Sequence, residues 1–342
     1  MSDRTLLVRV DGGRRDGLGH LMRCLALTRN LEGRGVTVAL LMRERPELSH
    51  LLASARVTAV ALPAEADELQ AAEIMGEVRS TLGGDAILVD LPTDLDREEF
   101  ERYSSLGPPL ALLDDHGPAR DGAPLVINAI AHADHLEGGT RNGLYNGPDF
   151  IILDPAYTQA PRAEIDELGG RLLVAMGGSD PHGITAVALR ALLPLPPEIE
   201  LHALLGPAFA DPEGIRREFA NAGRRIVFAE EVENLPRFLA TFDLAVLSFG
   251  LTAYGAAHLG LPTVLLAHDQ DGTAAAAAFA GQHGSSAFVG RHDQVDDSAL
   301  LETVRGLLDE PDERRRMAER GRAAVDGKGL ERVRDLLLEL LF

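Results

Sequence analysis

The chain of 342 residues has one cysteine, no tryptophan and a single lysine, Lys328. A lone Cys24 excludes an intrachain disulfide and fits a reducing compartment. Basic residues are scarce: 33 Lys and Arg stand against 53 Asp and Glu, a net charge of −20. No Lys/Arg cluster dominates, so the electropositive footprint that nucleic-acid binding needs is missing. Apolar runs are interrupted too early to span a bilayer. The residues after Met1 lack the charged and apolar regions of a signal peptide. The chain is therefore expected to be cytoplasmic, without membrane insertion and without a nucleic-acid partner. It has no G-x-S-x-G nucleophile elbow and no Walker loop. What it does have is a globular composition, 45% hydrophobic and 25% charged, and the length of two ordinary domains.

The order of elements points to an α/β protein. Leu6–Val10 reads as a strand, residues 11–20 as a glycine-rich loop, Leu21–Arg34 as a helix stopping at Gly35, and Val36–Met42 as a second strand. Strands Ala86–Asp90, Leu110–Asp115 and Leu125–Asn128 follow. Their unbroken apolar runs suit a parallel sheet covered on both faces. Residues 145–170 turn irregular, and a second series then begins with the strand Arg171–Met176 and a helix from Ile184 to Leu193. Leu201–Leu205, Arg225–Phe228, Leu244–Ser248 and Thr263–Leu266 read as further strands, and Ala274–Gln282 as a helix. The tail from Glu310 to Phe342 reads as two helices broken near Asp326-Gly327-Lys328-Gly329.

Four loops fall at strand carboxyl ends, where open α/β sheets bind ligands. In the first, Gly12, Gly13, Gly17 and Gly19 allow close backbone approach to a ligand. His20 then opens a helix, where it serves either as a general base or as a packed turn residue. The second, Gly177-Gly178-Ser179, is a phosphate seat or an ordinary tight turn. The third, Gly250-Leu251-Thr252, offers N–H groups and a hydroxyl to phosphate or ribose. The fourth is His268-Asp269-Gln270, whose side chains suit hydrogen bonds to a sugar or base. An ordinary βα turn stays open for these two as well. Asp114-Asp115-His116 reads as a solvated strand end, His132 and His135 as members of a polar loop, and Cys24 as core.

Arg9-Val10-Asp11-Gly12-Gly13 followed by Gly17-Leu18-Gly19-His20-Leu21-Met22-Arg23-Cys24 closely resembles the opening of one family. That family contains the UDP-sugar hydrolase of pseudaminic acid biosynthesis and the spore-coat polysaccharide proteins. Asp90, Asp114-Asp115, Gly147-Pro148-Asp149-Phe150, Gly177-Gly178-Ser179-Asp180-Pro181, Gly250-Leu251-Thr252, Gly260-Leu261-Pro262, Gln270 and Asp326-Gly327-Lys328-Gly329 continue the match in order. The later motifs are shared with many GT-B glycosyltransferases.

The resemblance implies a GT-B fold, two Rossmann-like domains with parallel sheets facing across a cleft. Residues 1–160 would form the sugar side, 161–328 the nucleotide-diphosphate side, and 329–342 a helix packing back on the first domain. It implies hydrolysis of a nucleotide-linked amino-deoxy sugar at the anomeric bond, with His20 activating water and neither metal nor cofactor required. Asp11, Gly12, Gly19, Arg23, Asp90, Gly177, Gly178, Ser179, Gly250, Leu251, Thr252, Asp269 and Gln270 would line the substrate. Three motifs depart from the family. Gly255 stands where it has a ribose-binding glutamate, Asp269-Gln270 where it has Asn-Gln, and Asp90-Leu91-Pro92 where it has Asp-His-Tyr. Two other readings therefore stay open: a glycosyltransferase of the same fold, and a non-catalytic sugar-nucleotide binder.

Overall fold

The computed structural model describes residues 4–130, 140–141, 143–167, 169–230 and 232–342. His132 and His135 lie outside them. The chain divides into two units. Within the described residues, the first runs to Ile130, resumes up to Asp154 and ends with Lys328–Phe342; the second is Pro155–Gly327.

The first unit contains β1 (Arg4–Val10), α1 (Gly19–Glu32), β2 (Val36–Arg43), α2 (Ser49–Ala55), β3 (Thr58–Leu62), α3 (Glu68–Leu82), β4 (Ala86–Asp90), α4 (Arg97–Ser104), β5 (Leu110–Leu113), β6 (Leu125–Asn128), β7 (Thr140–Arg141) and β8 (Leu144–Asn146). Its sheet has the order β3-β2-β1-β4-β5-β6-β8-β7 and is parallel except where β7 meets β8. The sheet grows one way from β1 and then restarts on its other side at β4. The carboxyl ends of these two strands therefore frame a topological switch point, where a crevice forms. Register pairs Val10 with Asp90. The glycine loop thus leaves the sheet beside the last residue of β4.

The second unit contains α5 (Ala156–Gln159), β9 (Arg171–Ala175), α6 (Ile184–Leu192), β10 (Glu200–Leu204), α7 (Pro212–Phe219), β11 (Ile226–Ala229), α8 (Leu235–Leu239), β12 (Leu244–Ser248), α9 (Leu251–Leu259), β13 (Thr263–Ala267), α10 (Gln270–His283), β14 (Ser286–Arg291), α11 (Asp297–Asp309) and α12 (Pro311–Ala324). Its parallel sheet, β11-β10-β9-β12-β13-β14, repeats the topology, with the switch between β9 and β12. Both are Rossmann-like sheets of the 3-2-1-4-5-6 pattern. Val174, Val246, Val264 and Leu266 are among the residues of its buried core.

The final helix α13 (Gly329–Leu341) belongs to the first unit and packs on α1. Leu330, Val333 and Leu337 are buried there, and Arg334 reaches Asn30 Oδ1 at 3.3 Å. A Cβ at Gly329 would lie 2.1 Å from the Ile151 carbonyl, so only glycine allows this approach. No helix among the described residues is long and apolar enough to cross a membrane.

Several boundaries differ from the sequence expectations. The strand expected to reach Asp115 stops at Leu113, because Asp114 takes a left-handed conformation with φ 49°. The helix expected from Ala274 starts at Gln270, because the Asp269 carboxylate accepts the Gly272 N–H at 2.7 Å and caps it. Strands β3 and β14 and helices α2, α3, α4, α7, α8 and α11 are among the additions to the elements expected from the sequence. Strand β3, Thr58–Leu62, is mostly exposed at the sheet edge although four of its five residues are apolar.

Candidate active site

In the first unit the glycine loop folds tightly, with Gly13 N–H donating to the Gly17 carbonyl at 2.8 Å. A Cβ at Gly12 would stand 3.0 Å from the Leu21 Cβ, so the glycine lets the loop lie against α1. Leu18 before α1 provides no side-chain cap, which leaves the first-turn N–H groups open. His20 sits in that turn with its side chain 22% exposed.

The His20 Nδ1 lies 2.6 Å from Oδ1 of Asp90, which is wholly buried. Arg23 Nε donates to the other oxygen, Asp90 Oδ2, at 2.7 Å, and Arg23 also pairs with Asp114. Burial alone would raise the Asp90 pKa. The Arg23 guanidinium and His20 outweigh it and hold the carboxyl well below the usual range. An anionic Asp90 makes Nδ1 the proton-bearing nitrogen of His20. The Nε2 lone pair is then free, and it makes no hydrogen bond to the described residues. Arg23 carries one positive charge against the two carboxylates of Asp90 and Asp114. A proton taken up by His20 therefore brings the group to neutrality. An imidazole held in this way is set up to accept a proton at its outward nitrogen.

Sequence reasoning named His20, Arg23 and Asp90 but gave the last two a role in touching substrate. The structure buries both, at 3% and 0% exposure, and both contact His20 Nδ1, Asp90 at 2.6 Å and Arg23 at 3.1 Å. Asp114, read as a solvated strand end, has a side chain only 7% exposed and accepts the Ile130 N–H at 2.9 Å. Its neighbour Asp115 accepts the Leu95 and Gly117 N–H groups, both at 2.9 Å. Cys24, read as core, donates its thiol to Asp90 Oδ2 at 3.2 Å. Burial and the Asp90 charge push that thiol well above its ordinary pKa and keep it protonated.

Asp11 also has a different place from the one expected. It is 3% exposed and held by Arg9 and by the Arg43 backbone N–H at 2.9 Å. Arg9 and Arg43 also bind Glu68, which accepts the Tyr103 hydroxyl at 2.8 Å. Two cations and two anions balance in this buried network, which braces the ends of β1 and β2 beneath the loop.

In the second unit the switch point carries two helix starts of different kind. The Asp180 carboxylate accepts the Ile184 and Thr185 N–H groups at 2.8 Å each, so α6 is already capped by an anion. The expected seat on that helix is therefore reduced to the backbone of Gly177 and Gly178 and to Ser179, which is 4% exposed. The residue before α9 is Gly250, which gives no side-chain cap. The amides of Leu251 and Thr252 are open at the start of α9, and such N–H groups attract anions. The loops lie side by side: a Cβ on Gly177 would be 3.7 Å from Ser248 Oγ, and Phe249 N–H donates to the Leu266 carbonyl at 3.0 Å. Asp269 and Gln270 are exposed at the next loop. A shallow hollow of about 490 Å³ beside α7 has Asp180, Asp211 and Glu218 in its lining. Among the described residues no group of three or more His, Cys, Asp or Glu is placed to hold a metal ion.

Gly255 has a structural explanation. It is buried in α9, where a Cβ would fall 2.3 Å from Tyr157 Cε1 and 2.7 Å from its hydroxyl. The Tyr157 ring fills the space that a larger residue would need. Gly255→Glu is expected to destabilise the protein by at least about 1–3 kcal/mol, the usual cost of overpacking. Chemical denaturation measures this, and an unchanged midpoint would show that Tyr157 yields freely.

No protein-family model matches the chain. It is similar to the spore coat polysaccharide biosynthesis protein SpsG of Bacillus subtilis, 27% identical over 96% of each chain. Among solved structures it resembles Acinetobacter baumannii MurG, with a TM-score of 0.69 and 15% identity over 98% of this chain and 99% of that one. It also resembles the S. aureus MnaA–UDP co-structure, with a TM-score of 0.66 and 12% identity over 98% and 97%. The chain therefore carries the GT-B fold, in a sequence far diverged from those it resembles.

Proposed function

We propose that this protein is an enzyme of polysaccharide biosynthesis that cleaves a nucleoside-diphosphate sugar at its anomeric bond, with water as the acceptor. The observation that carries the reading is the His20–Asp90 pair, a partly exposed base on a buried anion at the first switch point. The second unit would hold the nucleoside diphosphate. His20 Nε2 takes the proton from water as the water oxygen bonds to the anomeric carbon. The bond from that carbon to the diphosphate oxygen breaks, and its electron pair leaves with the diphosphate. The names of SpsG and of the UDP co-structure support polysaccharide biosynthesis and a UDP-linked substrate.

A glycosyltransferase would use the same base on an acceptor hydroxyl, and the likeness to MurG favours that second reading. Incubation with UDP-linked amino-deoxy sugars separates the two. Release of UDP and free sugar in the absence of any acceptor is expected. UDP release that requires an added acceptor would establish transfer instead. UDP at 100 times its Kd is expected to stabilise the protein by about 2.7 kcal/mol, seen as a thermal shift. No shift and no release with any nucleotide sugar would overturn both readings.

A further inference from the structure

A cluster of three histidines at the carboxyl end of the second sheet has no part in the chemistry described so far. His182 lies in the turn after β9, His268 directly after β13 and His292 directly after β14. The His182 and His292 rings stack at 5.2 Å between centroids, inclined by 29°, and the His182 and His268 rings stand 5.9 Å apart. The His292 N–H donates to the Ala267 carbonyl at 3.1 Å, which ties the ends of the two strands together. His182 follows Ser179 by three residues, and His268 follows Leu266, the residue whose carbonyl holds the Gly250 loop. The cluster therefore borders the loops at the second switch point.

We propose that His182, His268 and His292 form a diphosphate subsite in which an arriving diphosphate draws a proton onto the cluster. This rests on the nucleotide-sugar reading and deepens it.

The local charges call for such a device. Asp180 and Asp269 stand beside His268, and both carboxylates are engaged with helix N–H groups. Arg291, next to His292, is held by Asp293 at 2.5 and 3.0 Å and reaches Gln270 Oε1 at 3.3 Å. The guanidinium is thus already neutralised, and the chain's lone lysine lies at 328. A diphosphate meeting Asp180 and Asp269 needs a compensating positive charge, and imidazole can acquire one near neutral pH.

Without an anion His268 resists protonation. Burial and the neighbouring His182 and His292 hold His268 below its ordinary pKa, although Asp180 and Asp269 act the other way. Its Nδ1 is buried without a hydrogen-bond partner, while His182 is exposed and accessible. Two imidazolium rings stacked at this distance would repel each other. An anion bound against them removes that repulsion and favours the charged form. The geometry is not that of metal ligands.

The test is calorimetric titration at pH 6 and pH 8 with two probes, UDP-N-acetylglucosamine and UDP. In the sugar nucleotide both phosphates are substituted, so the ligand itself does not titrate in this range; the terminal phosphate of UDP does. The wild-type affinity for UDP-N-acetylglucosamine is expected to fall about tenfold from pH 6 to pH 8. Heats in buffers of different ionisation enthalpy should report uptake of close to one proton. His182→Gln and His292→Gln are expected to reduce the pH dependence below about twofold with an unchanged Tm. If UDP alone binds, the comparison of wild type with the variants decides in the same way, because the titration of UDP is common to all. Equal affinity of the sugar nucleotide at both pH values, or variants as pH-dependent as the wild type, would overturn the subsite. Absence of binding by either probe at either pH would overturn the nucleotide reading and the subsite with it.

Discussion

Asp90→Asn is expected to lower turnover of the nucleotide sugar by about 10³–10⁴-fold while leaving the substrate affinity nearly unchanged. The size follows from what a carboxylate does behind a catalytic imidazole: it sets the tautomer and stabilises the protonated ring. Both Asp90 oxygens are engaged, one by His20 and Arg23 and the other by Arg23 and Cys24. An amide can match only part of this pattern. Where its NH₂ faces His20, Nδ1 must accept, and the proton moves to Nε2, the atom needed as base. Where its oxygen faces His20, the negative charge that welcomes the imidazolium is still gone. His20→Ala should cost a similar factor, and the double variant should be scarcely worse than either single one, because the two residues act as a unit. Steady-state measurement of nucleoside-diphosphate release decides this. A loss below tenfold in Asp90→Asn would remove His20 from the role of base.

The second large effect is on stability. Arg23→Met is expected to destabilise the first unit by about 3–5 kcal/mol, the cost of leaving buried charges without their partner. The Asp90 and Asp114 side chains are 0% and 7% exposed, and Arg23 reaches both. In the wild type the Asp90 pKa is depressed in the folded state. Its contribution is therefore fully present above the unfolded pKa, about 3.9, and is lost as pH falls through the folded value. The wild type should lose stability as the pH drops below about 4. The variant, lacking that contribution, should be weaker at pH 7 and lose less below pH 4. Urea denaturation at pH 7 and pH 3 measures both. A penalty under 1 kcal/mol at pH 7 would mean that water replaces the guanidinium.

The buried network under the glycine loop serves the same end by another route. Arg9 lies on the strand that delivers the loop and Asp11 just after it, and Arg43 and Glu68 close the set from β2 and α3. The first switch point thus rests on a charge network in which Arg9, Asp11 and Glu68 are buried and Arg43 is 23% exposed.

Glycines 12, 13, 17 and 19, the apolar run before them and the helix after them mark a candidate ligand-binding strand end from local rules alone. Backbone conformation and apolar period depend on neighbours in sequence, so spacing reveals them. The repeat of that pattern at Gly177 and Gly250 makes a two-sheet α/β fold legible for the same reason. Partnerships between side chains are not local. Asp90 meets His20 because β1 and β4 pair with Val10 opposite Asp90. Asp114 meets Arg23 across 91 residues because β5 comes next in the sheet. Tyr157 closes the space over Gly255, and three histidines from three separate loops come together only when β9, β13 and β14 take their places. Strand order and register decide which charges are neighbours, and a buried charge takes its chemistry from its neighbours, so the roles of Asp90, Arg23, Asp114 and Cys24 emerge only in the folded sheet.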